Sequence, residues 1–70
     1  MSNSVELREL LHRLSNQLGV ILAHAELLEA KVADETARAR AAQVVSSVLE
    51  AMSTANELRR LAATFPSDAQ

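Results

Sequence analysis

No cysteine, tryptophan or tyrosine occurs among the 70 residues, and glycine, proline and phenylalanine occur once each, as Gly19, Pro66 and Phe65. Without cysteine there is no disulfide framework, no thiolate zinc site and no cysteine nucleophile. So little glycine, proline and aromatic side chain argues against β-structure, which needs turn residues and aromatic or β-branched strands. The longest apolar stretch, Leu18 to Ala23, falls far short of the roughly 20 residues that span a membrane. Glu6 and Glu9 stand where a signal peptide carries positive charge. A cytoplasmic chain with no membrane partner is therefore expected. Excess positive charge is also lacking: the net charge is -2, which argues against a nucleic-acid partner.

What is present is 49 % hydrophobic and 23 % charged residues, too apolar for a disordered chain and too charged for a membrane segment. Alanine and leucine dominate, as long helices favour. Leu7, Leu11, Leu14, Leu18, Ile21, Ala25, Leu28 and Val32 follow one another at alternating spacings of four and three. Ala37, Ala41, Val44, Val48, Ala51, Ala55, Leu58, Ala62 and Phe65 form a second series of the same kind. Each is a heptad-type stripe, the pattern of helices packed nearly parallel or antiparallel. Continuing the first stripe past Val32 selects Glu35, Ala39, Ala42, Ser46, Leu49, Ser53, Asn56 and Arg60, a largely polar set, so the phase breaks between Val32 and Ala37. This predicts a hairpin over residues 4–65, with helix one over about 4–33 and helix two over about 35–65. Asp34 is the expected N-cap of helix two, with Glu35 in its first turn. Ser4 is the expected cap of helix one. Pro66 ends helix two, because the residue before proline avoids the helical region. Residues 1–3 and 66–70 are expected to fray.

Two helices alone make a poor core. Ordering about 60 residues costs on the order of 90 kcal/mol, more than one seam can offset. Leu10, Val20, Leu22, Leu27, Val45, Leu49, Met52 and Leu61 lie outside both stripes. Pairing two hairpins doubles the core, and the small residues of the second stripe permit close helix approach. The expected architecture is all-α: an antiparallel helical hairpin forming a four-helix bundle as a homodimer.

The run His12-Arg-Leu-Ser-Asn-Gln-Leu-Gly-Val-Ile-Leu-Ala-His-Ala-Glu-Leu-Leu28 resembles the H-box of two-component sensor histidine kinases. The resemblance rests on His12, Asn16, Leu18, Ile21, Leu22, Glu26, Leu27 and Leu28. Glu57-Leu58-Arg59-Arg60-Leu61, with Phe65 beyond it, is similar to the end of the same dimerisation and histidine phosphotransfer domain. The resemblance spans nearly the whole chain and implies a dimeric four-helix bundle. It also implies that His12 accepts a phosphoryl group and that Asn16 orients water when a receiver is dephosphorylated. Imidazole suits this role, being nucleophilic near neutral pH. The implied partner is a response-regulator receiver domain, which would supply the accepting Asp and the Mg²⁺; no cofactor of the chain's own is expected. A sensor histidine kinase is a second implied partner, through a non-catalytic adaptor role.

Arg8 is expected to pair with a phosphoryl group, and Arg13 to attract an acidic receiver surface. Ser15 and Gln17 join them as partner-facing residues, and Gly19 leaves room for a docked protein. Nothing in the 70 residues resembles a Gly-rich phosphate loop or an acidic metal cluster. The chain by itself is therefore expected to act at most as a histidine phosphotransferase or receiver phosphatase. His24 lies too far from His12 for a shared metal and is read as a bundle residue. Arg38 with Arg40, and Arg59 with Arg60, are read as a solvated face or as partners of Glu35, Glu50 and Glu57. Met52 is read as a core filler.

Overall fold

A computed structural model of the chain describes residues 3–64, with side-chain environments from Val5 onward. It contains two helices, α1 (Asn3–Lys31) and α2 (Glu35–Thr64), packed against each other as a hairpin. The rod measures 56 × 15 × 10 Å. Helix α1 starts one residue before the expected cap Ser4 and stops two residues before the expected end. Phe65, Pro66 and the expected C-terminal fraying lie outside the described residues, as do Met1 and Ser2.

The turn is Val32-Ala33-Asp34. Asp34 caps α2: its Oδ2 accepts from the Ala37 backbone N–H at 2.8 Å, and its carbonyl accepts from Arg38 N–H at 2.9 Å. That satisfies donors that a helix start otherwise leaves open. At the other end of the turn, Val32 N–H donates to the Leu28 carbonyl at 3.0 Å. Arg38 Nη2 reaches back to the Val32 carbonyl at 2.9 Å. Arg38 therefore closes the turn instead of pairing with Glu35. No residue here has positive φ, so the chain reverses without glycine.

The seam takes only half of each stripe. Leu11 and Ala25 are buried on α1, and Ala41, Val48, Ala55 and Ala62 are buried on α2 at heptad spacing. Leu7, Leu18, Val32 and Ala37 are half-buried. The alternate members stay in water: Leu14, Ile21 and Leu28 are 39 %, 46 % and 56 % exposed, and Val44 and Leu58 are 46 % exposed. Leu22, Val45 and Met52, which lie outside the stripes, are half-buried. The seam is thus rotated from the stripe axis toward these three side chains. A single partner helix covers one side of a stripe, and the alanines of α2 set the close approach.

Four of the six buried hydrophobic side chains are alanine, so this core is thin. The surface is correspondingly large at 5347 Å², against about 4,300 Å² for a compact monomer of this mass. A two-helix rod has no second layer to cover its apolar flank. Among the described residues, no helix is long and apolar enough to cross a membrane.

Candidate functional site

Helix α1 is continuous from Asn3 to Lys31, so each residue advances about 100° around its axis. With Leu11, Leu18 and Ala25 in the seam, the remaining residues divide between two flanks. Leu14, Ile21 and Leu28 share one flank with Gln17 and His24. The opposite flank carries Arg8, His12, Asn16 and Gly19. Arg8 and Asn16 each lie about 40° from His12, and Gly19 about 20° from it. Arg8, His12 and Asn16 are exposed, and Gly19 is half-buried at the border of the seam.

Helix geometry separates the other expected residues from this strip. Arg13 is exposed but lies about 100° from His12, on the side away from α2. Gln17 lies about 140° from His12, at the rim of the apolar flank. Ser15 is half-buried, and its Oγ is buried without a hydrogen-bond partner. Its hydroxyl faces the seam and is not part of the exposed strip.

Gly19 has an informative environment. A Cβ built on it meets nothing within 4 Å, so packing within the hairpin does not require glycine. Retaining glycine in a helix interior costs about 1 kcal/mol relative to alanine. His12 has no hydrogen-bond partner among the described residues, and no ion pair is formed among them. The described residues also contain no group of three or more His, Cys, Asp or Glu side chains placed to hold a metal ion.

The hairpin brings residues of α2 to the His12 flank, a grouping that the sequence reading did not make. Arg8, Asn56, Arg59, Arg60 and Ala63 line one open groove of about 470 Å³. Arg59 Nη1 donates to Asn56 Oδ1 at 3.3 Å. Arg59 and Arg60 thus face Arg8 across the two helices and form no salt bridge with Glu57 or Glu50. The signal for this grouping is the register set by the three-residue turn. The same register places Leu18 with Val48, and Ala25 with Ala41. On the apolar flank, Ile21, His24, Ala25, Leu28, Ala41 and Val44 line a second groove of about 300 Å³.

Comparison of the chain with protein-family models, curated proteins and solved structures gives no match.

Proposed function

We propose that this chain is a histidine phosphotransfer-type module that pairs through its apolar flank and offers His12 to a receiver domain on the other. The observation that supports this most is the division of α1. Exposed Leu14, Ile21 and Leu28 lie on one side of the seam, and exposed Arg8, His12 and Asn16 on the other. A second copy covering the first side leaves the second free. Burying the half-exposed Leu14, Ile21, Leu28, Val44 and Leu58 of two protomers yields on the order of 10 kcal/mol gross. That is comparable with the cost of association, about 4–15 kcal/mol. Two-fold pairing is the commonest closed symmetry. The product is a four-helix bundle with one His12 strip on each outer side.

In the transfer step, an imidazole nitrogen of His12 attacks the phosphorus of the receiver's aspartyl phosphate. The N–P bond forms as the P–O bond to the carboxylate breaks, and the carboxylate leaves with the bonding pair. Arg8, one turn away, is placed to neutralise charge on the phosphoryl oxygens. Asn16, one turn on, is placed to orient a water if the phosphoryl group is instead hydrolysed. Gly19 opens the helix surface to the docked domain.

A non-catalytic adaptor is the second reading. It draws on the absence, among the described residues, of any side chain hydrogen-bonded to His12 and on Arg13, which stands where the family it resembles carries an acidic neighbour. The two readings part in an assay with a panel of phosphorylated receivers, following phosphate loss and binding separately. For a transfer module, His12→Ala abolishes phosphate transfer from the receiver that binds and leaves affinity within about twofold, since one exposed contact contributes little. Asn16→Ala slows receiver dephosphorylation and spares binding. If His12→Ala matches the parent in every receiver assay, transfer through His12 is ruled out and the adaptor reading stands.

A further inference from the structure

The groove at the open end of the hairpin gathers more cationic chemistry than the His12 reading uses, which takes only Arg8 from it. Three of the seven cationic residues of an acidic chain line it, and they come from both helices. Its other described lining residues, Asn56 and Ala63, carry no charge, so among the described residues no carboxylate lines the groove to neutralise the guanidinium groups. Among the described residues, the side-chain hydrogen bond of these arginines runs from Arg59 to the neutral Asn56 amide oxygen. Arg38, by contrast, is engaged by the Val32 carbonyl. Guanidinium groups gathered without counter-charge favour an anion from outside. Their planar forks match carboxylate and phosphate oxygens in pairs of hydrogen bonds.

The shape of the groove selects among anions. At about 470 Å³ it exceeds what one inorganic phosphate would fill. It is open along the surface and cannot bury most of a small ligand, as small-molecule sites do. None of its described lining residues is an aromatic platform on which nucleic-acid bases stack. An extended segment lying across both helices suits it better.

We infer that the Arg8–Arg59–Arg60 groove docks a segment of a partner protein carrying two or more clustered Asp or Glu side chains. The site is independent of whether His12 takes a phosphoryl group. Because Arg8 also borders the His12 strip, a protein anchored in the groove is held on the flank that presents His12.

The test is an amide-resolved NMR titration of the whole chain with a hexaglutamate peptide, and separately with inorganic pyrophosphate. The expected result is saturable peptide binding, with the largest shifts at Arg8, Asn56, Arg59, Arg60 and Ala63. Arg8→Gln and Arg60→Gln should each weaken it about threefold, and Arg40→Gln should leave it unchanged. Added salt should weaken binding of the parent more than of the variant carrying both Arg8→Gln and Arg60→Gln. Circular dichroism of each variant checks that the helices persist. Shifts spread evenly over Arg13, Arg38 and Arg40 would overturn the inference, as would saturation by pyrophosphate alone. His12→Ala leaves this titration unchanged, so failure here and failure of phosphotransfer are separate results.

Discussion

His12 and Ile21 stand on opposite sides of α1. Nine residues separate them, about half a turn in net rotation, and both are exposed with Leu18 half-buried in the seam between them. One helix therefore presents an imidazole on one side and an uncovered apolar ridge on the other. The ridge continues onto α2 through Val44 and Leu58.

That ridge carries the first prediction. The parent chain should sediment near 15 kDa, about twice its 7.6 kDa mass. Ile21→Asp places a charge on the ridge and should abolish pairing, with loss of cooperative unfolding because folding and assembly share one core. Leu27→Asp, on an exposed side of α1 that lines neither groove, should leave the dimer intact. Equal dissociation of both variants would place the interface elsewhere.

The turn carries the second. Asp34→Ala removes the acceptor of the Ala37 amide and should destabilise the protein by about 1 kcal/mol. At fixed protein concentration this lowers Tm by about 4–8 °C. Asp34→Asn keeps a capping oxygen and should recover most of the loss. An unchanged Tm in the alanine variant would show that Arg38 and the Val32 carbonyl hold the turn unaided.

Gly19 separates stability from docking. Because a Cβ there meets nothing within 4 Å, Gly19→Ala should raise stability by about 1 kcal/mol through helix propensity. The same methyl group intrudes on any protein lying close against the His12 strip and should weaken receiver binding. A variant that gains stability without losing binding would remove Gly19 from the docking surface.

The heptad spacing and its phase break make both helices and their turn legible in the sequence, and the capping preference of aspartate marks Asp34. It did not reveal which half of each stripe the hairpin takes. Leu14 and Leu11 are equivalent as apolar stripe members, and only the partner helix distinguishes them. Leu22, Val45 and Met52 were read outside the stripes for the same reason, yet they border the seam. The turn carries no glycine, and because it uses no left-handed residue it requires none. At the site, the spacing of Arg8, His12 and Asn16 places them together on any helix. Ser15 and Gln17 are close in number but rotate away, one into the seam and one around to the apolar rim. The meeting of Arg8 with Arg59 and Arg60 depends on hairpin register, which no local pattern encodes.

The most direct measurement is the location of phosphate on the chain itself. After incubation with the phosphorylated receiver panel, ³¹P NMR and peptide mapping under alkaline conditions report where the phosphoryl group resides. The account predicts an acid-labile phosphoramidate on His12, absent from His12→Ala and absent when the parent is incubated with ATP and Mg²⁺ alone. Phosphate on His24, or none on the chain with any receiver while binding persists, would contradict it.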